Sequence, residues 1–272
     1  MGKGAYACVD LISRKAKKIP VCVDGVSRQS KVGYACVDDV SRQFFSGSSS
    51  ISSLEVGQSV FIDVDGLDRY NNNEFMIIHK GLPSSAYDSS CDGIWVLAKY
   101  MEQHHYLWST GATYNLNYSN SAIHKYLNSN VLSKFDTNIQ SIIKEVKIPS
   151  AGSNLSTKLF LLSYDEVMGK PPYYSQTSEG VILDYFNGAS AEDRKCRRSA
   201  SNSSANSWWL RTQYPLNTSG AYYITNAGNS NWTSKGGSDP SEIPAIALNN
   251  ECRFAMILSH DTLIDENFNV IA

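Results

Sequence analysis

A seven-residue phrase recurs three times near the start of the chain at intervals of 14. The copies are Cys8-Val9-Asp10-Leu11-Ile12-Ser13-Arg14, Cys22-Val23-Asp24-Gly25-Val26-Ser27-Arg28 and Cys36-Val37-Asp38-Asp39-Val40-Ser41-Arg42. Each sets a short apolar run, an Asp-x pair and a second apolar/polar alternation in a row. That is the pattern of a β-hairpin, with Asp24-Gly25 the best turn of the three. A unit this short buries too little apolar surface to close a core of its own. The repeats must stack on one another, on the rest of the chain, or on other copies of it. Residues 1–45 therefore read as an attachment or oligomerisation element, with a plain edge sheet as the alternative. Ser46-Gly-Ser-Ser-Ser-Ile-Ser-Ser53 reads as a flexible linker over 46–53, and residues 54–272 as the main domain.

The 272 residues carry 42% hydrophobic side chains, enough for a sizeable core, and a net charge of -2. Without a basic surplus a general binder of phosphate backbones is disfavoured, so no nucleic-acid partner is expected. No apolar run approaches the ~20 residues of a membrane span, so no membrane insertion is expected. The first residues lack the apolar stretch of a signal peptide, which predicts synthesis in the cytosol. None of the six cysteines forms a Cys-x-x-Cys pair, and the five histidines miss zinc-ligand intervals. The expectation is buried thiols, no metal and no cofactor.

Along the main domain, 54–63 alternates apolar and polar residues as a strand does, and 75–79 and 94–98 are apolar runs of strand length. Ile123, Tyr126, Leu127 and Val131 fall at helical spacing within 119–135. Asp136 is placed to cap a second helix carrying Ile139, Ile142, Ile143 and Val146, stopped by Pro149. Residues 159–162 read as a buried strand, followed by a capping box from Ser163 to Glu166 and a helix ended by Pro171-Pro172. Asp184, Glu192 and Asp193 lie near another helix start. The mixture predicts an α+β fold. Between Ser201 and Asp239, 14 of 39 residues are Ser or Asn, interleaved with six Trp or Tyr. Disordered segments lack such aromatics, whereas binding loops on a rigid scaffold use this mixture.

Six ordered motifs carry a resemblance from about Leu54 to the C-terminus. They are Glu55-Val-Gly57, Phe75-Met-Ile-Ile78, Tyr118-Ser-Asn-Ser-Ala-Ile-His-Lys-Tyr-Leu-Asn128, Lys158-Leu-Phe-Leu-Leu-Ser-Tyr-Asp-Glu-Val167, Trp208-Trp-Leu-Arg-Thr212, and Arg253-Phe-Ala-Met-Ile-Leu258 with Asp265-Glu-Asn-Phe-Asn-Val270. The chain resembles a large bacterial and phage family of uncharacterised domains with a C-type-lectin-like fold, in the branch of the formylglycine-generating enzymes. It departs from that family at Thr212-Gln213, where serine-proline is usual, and at Phe254, where proline is usual. Many members are variable proteins of diversity-generating retroelements. The resemblance thus implies a non-enzymatic receptor-binding protein of a phage or prophage tail, with a candidate variable region at 212–252. The repeats are similar to short β-repeats of phage structural proteins. They imply contacts of residues 1–45 with other virion or tail proteins, a homotrimer, and a place on a virion or bacterial surface. The implied ligand is a cell-surface protein or glycan. Diversification of this kind acts on adenines in Asn-type codons and never yields Trp, so Trp232 is either fixed or evidence against it.

The expected ligand contacts are Tyr214, Asn217, Tyr222, Tyr223, Asn226, Asn229, Asn231, Trp232 and Thr233, because Tyr offers large area with few rotors and Asn both donates and accepts. Strand alternation predicts that only one of Tyr222 and Tyr223 faces outward. Trp208 and Trp209 are expected to be structural, at least one in the core, and Arg211 and Arg253 to bond loop carbonyls. No catalytic residue is expected. The formylglycine-generating resemblance allows an oxidoreductase through a copper-binding pair of Cys196 and Cys252, but nothing else in the chain matches that chemistry. A structural virion or surface protein without a ligand is a further alternative. His104-His105 would point to opposite faces of a strand, and Asp165-Glu166 belongs to a capping box.

Overall fold

The computed structural model describes residues 20–23, 26–29, 34–37, 40–43, 48–64, 73–101, 117–170, 177–214, 221–233 and 250–271. The fold is mixed α+β, with small antiparallel sheets and short helices around one apolar core. Its centre is a five-stranded sheet in the order Phe160–Leu161, Phe254–Leu258, Ile94–Ala98, Glu74–Lys80, Ser59–Phe61. Ile94–Ala98 and Phe254–Leu258 are buried at every position. That is why both read as unbroken apolar runs: a strand covered on both faces has no polar side to show. Phe75, Phe135 and Phe254 pack with ring centroids 5.8–6.5 Å apart. Trp95 lies edge-on to Tyr87 and Phe160 at 5.6 Å.

A second sheet, Trp208–Gln213, Ala221–Ile224 and Ser230–Thr233, is built from the Ser/Asn-rich stretch. A third joins Ser49–Ser50 to Leu263–Ile264 and Val270–Ile271. The second and third repeats pair as hairpins, Pro20–Val23 with Val26–Gln29 and Tyr34–Val37 with Val40–Gln43. The first repeat lies outside the described residues. No helix among the described residues is long and apolar enough to cross a membrane.

Three expectations are corrected. The stretch expected as a flexible linker contains built structure at 49–53. Ser49–Ser50 pairs with Leu263–Ile264, and Ile51 is fully buried in a 3-10 turn with its N–H on the Thr262 carbonyl at 2.8 Å. One apolar residue among serines suffices once the serine hydroxyls have partners: those of Ser50 and Ser52 both donate to the His260 carbonyl. The helix expected from Asp136 to Pro149 covers only Thr137–Ile142, and Asp136 makes no side-chain cap. Val146–Ser150 is instead a strand paired with Ser153–Thr157. Val146 and Ile148 fit period 2 as well as a helix, with Lys147 exposed between them. A two-stranded sheet has only edge strands, and these tolerate Pro149. The first helix is α-helical only over Ala122–Tyr126, then continues as a π-turn over Leu127–Val131 and a 3-10 turn over Leu132–Lys134.

Candidate functional site

The second sheet stands on a buried polar node. Arg211 is fully buried, and all five of its guanidinium N–H groups are used. Nε donates to the Pro149 carbonyl, Nη1 to the Leu161 carbonyl and Glu166 Oε2, and Nη2 to Glu166 Oε1 and the Glu179 carbonyl, at 2.6–3.2 Å. Burial works against its charge, and the Glu166 carboxylate overrides that and holds the guanidinium protonated. Glu166 serves twice. It closes the expected capping box with Ser163 at the start of the helix Tyr164–Met168, and it receives the fork of Arg211 and the hydroxyl of Tyr87. Carbonyl bonding by Arg211 was legible in the sequence. The carboxylate was not, because a capping glutamate gives no sign of a second partner 45 residues away.

Two more carboxylates surround the node. Glu179 accepts the N–H of Ala151 at 2.8 Å and the hydroxyl of Thr212, and Asp165 accepts the N–H of Glu179 at 2.9 Å. Burial raises the pKa of both. Ala151 sits at φ 48°, in the left-handed region that alanine rarely adopts, and its bond to Glu179 fixes that turn. Beside it lies a shallow cleft of about 320 Å³, lined by Pro149, Ser150, Gly152, Ser153, Asn154, Thr177 and Ser178, with no charged side chain.

Trp208 and Trp209 are both buried, as expected for at least one. Trp208 donates its indole N–H to the Arg194 carbonyl and stacks under the Arg253 guanidinium at 5.1 Å. Arg253 Nε donates to the Ala98 carbonyl. The tyrosines break the expectation. Tyr214, Tyr222 and Tyr223 are 3%, 1% and 7% exposed, so neither member of the pair Tyr222–Tyr223 faces solvent. Alternation fails because this sheet is covered on both sides. Tyr222 packs between Tyr164 and Tyr214 on one face, with centroids 4.7 and 5.5 Å away, and Tyr223 lies edge-on to Trp209 at 5.9 Å on the other. These three residues are core, not contact surface.

What remains exposed are residues of the hairpin tip and the asparagine that follows it on the edge strand. Asn226, Asn229 and Asn231 are exposed. Trp232 and Thr233 occupy the edge strand, their backbones paired with Tyr222 and Ala221. Asn217 lies outside the described residues, as do His104-His105 and Pro171-Pro172. The tip is not loose. Gly228 adopts φ 82°, and a Cβ there would come within 1.8 Å of the Ala191 carbonyl. Arg194, on the short helix Ala191–Arg194 capped by Ser190 and Asp193, clasps the tip through the Gly228 carbonyl at 2.9 Å. Sequence reasoning missed this clasp, and a glycine between Ala227 and Asn229 was its one signal.

Cys196 and Cys252 are buried, with no disulfide, and burial raises the Cys196 pKa. The Cys91 thiol is pushed up to about 11 by burial. Protonated thiols are poor metal ligands and nucleophiles. Among the described residues no group of three or more His, Cys, Asp or Glu is placed to hold a metal ion.

The architecture is thus an α+β domain whose last third forms an aromatic sheet over a buried ion pair. The chain belongs to a family described as a domain of unknown function, DUF6273, whose profile matches residues 92–259. No curated protein and no solved structure matches it.

Proposed function

We propose that this is a non-enzymatic binding protein with a C-type-lectin-like domain, which presents the tip and edge of the second sheet to a protein or glycan on a cell surface. The observation that carries the reading is the division within 208–233. Trp208, Trp209, Tyr214, Tyr222 and Tyr223 are core, the tip is clasped by Arg194, and exposed asparagines stand on the result. A recognition surface needs that combination, because binding costs less when the contact groups are already fixed.

The resemblance to retroelement-diversified proteins gives the proposal its biological form: a phage or prophage tail protein, trimeric, held by residues 1–45. Its contacts are narrowed to Asn226, Asn229 and Asn231, with the edge strand carrying Trp232 and Thr233. The test is to sequence this gene from many genomes of one source population. Substitutions concentrated at codons 226, 229 and 231, with Trp208, Arg211, Tyr222 and Gly228 constant, are the expected result. Variation spread evenly along 54–272 overturns diversification. Unchanged adhesion of an Asn226→Ala, Asn229→Ala, Asn231→Ala triple variant to the source cells would overturn the assignment of the surface.

A further inference from the structure

Five large apolar side chains are exposed among the described residues, and three of them belong to the small sheet formed by the two ends of the domain. Leu263 is 45% exposed, Phe268 44% and Ile271 41%. Leu263 and Ile271 are direct cross-strand partners, so both side chains stand on the same face. Phe268 lies in the turn between their strands at φ 63°, a left-handed conformation that is strained for an aromatic residue. A turn there would be served better by glycine or asparagine if its side chain did nothing.

The same sheet is where the repeats join the domain. Ser50 pairs with Leu263, and the Ser50 and Ser52 hydroxyls and the Ile51 N–H fix this segment to His260 and Thr262. The third repeat ends its hairpin at Gln43, six steps before Ser49, which an extended chain spans in about 20 Å. Whatever its orientation, that hairpin is tethered within reach of Leu263 and Ile271. A lone two-stranded hairpin needs a surface to pack on. Three half-exposed side chains offer on the order of a few hundred Å², well short of the roughly 800 Å² per partner of a stable complex between free molecules. A tethered partner needs less, because a short linker holds it at millimolar effective concentration.

We infer that the face carrying Leu263 and Ile271, with Phe268 in the adjoining turn, is the docking surface for the N-terminal repeat segment, residues 1–47, of the same chain. The attachment element is then packed against the domain it carries and not strung from it. This holds whether or not the surface of the second sheet binds a ligand.

Amide hydrogen exchange on the full chain tests it. Residues 20–43 are expected to be protected at least tenfold over an unstructured peptide, equally at low and hundredfold higher protein concentration. Leu263→Asp is expected to abolish that protection. Phe268→Asn, which tolerates the left-handed turn and so spares the fold, is expected to lower it severalfold. Leu82→Asp, exposed to a similar degree outside this sheet, should leave it unchanged. Absence of protection in the unaltered chain, or protection indifferent to both Leu263→Asp and Phe268→Asn, overturns the proposal. Protection that grows with concentration also overturns it and assigns the face to a second copy.

Discussion

Arg211, on the strand Trp208–Gln213, and Arg253, just before the strand Phe254–Leu258, are both buried arginines, yet they are held in opposite ways. Arg211 spends every donor, joins four separate segments through Pro149, Leu161, Glu166 and Glu179, and is matched by a carboxylate in a bidentate pair. Among the described residues, Arg253 donates from Nε to the Ala98 carbonyl and lies over the Trp208 ring, and its Nη1 has no hydrogen-bond partner there. Burial alone does not say what an arginine does. The first defines where four segments meet. The second fills space beside an indole.

The two should differ sharply under substitution. Arg211→Met strands Glu166 as an uncompensated buried charge and is expected to cost about 3–5 kcal/mol by chemical denaturation, with part regained when Glu166→Gln is added. Next comes the third arginine of this region, Arg194, tested through the glycine it clasps. Gly228→Ala places a Cβ against the Ala191 carbonyl at a left-handed φ, for a cost of about 2 kcal/mol and a local loss of amide protection over 221–233. Arg253→Met keeps a flexible apolar chain against Trp208 and is expected to cost only about 1–2 kcal/mol. If it costs as much as Arg211→Met, the contrast between the two sites is wrong.

The smallest effect is a pH slope. Burial raises the pKa of Glu179 and Asp165, so the folded state binds their protons more tightly than the unfolded state does. Their contribution to stability is present in full below the ordinary carboxylate range and is lost as pH rises through the raised folded values. Asp88, Asp193 and Asp265 are shifted the other way by hydrogen bonds. Their contribution is present above the ordinary range and lost on acidification. The difference in melting temperature between the unaltered protein and Glu179→Gln isolates the first group. It should favour the variant increasingly as pH rises from about 4 toward neutrality, and a difference independent of pH would place Glu179 outside that balance.

Local signals were legible wherever one segment decides its own structure. The capping box from Ser163 to Glu166, the apolar strands at 75–79 and 94–98 and the burial of Trp208 all follow from residue type and spacing. What failed were inferences that needed to know what lies opposite. Alternation promised an outward tyrosine because it assumes one wet face, and Tyr164 and Trp209 cover both. Helical spacing carried Asp136 through Pro149, but Ile143 leaves the helix to bridge Leu258, a partner more than a hundred residues on. The Ser46–Ser53 stretch has the composition of a linker, and a single isoleucine with a strand waiting for it made most of that stretch structure.

That closure of the domain upon itself has an engineering consequence. Ser49–Ser50 and Val270–Ile271 flank Leu263–Ile264 in one three-stranded sheet, so the first and last strands of the domain lie only two strand spacings apart, about 10 Å. Residues 49–271 could be set into a surface turn of an unrelated carrier with a short spacer on each side. New ends could equally be opened at an exposed turn such as Ala151-Gly152 while the old ones are joined.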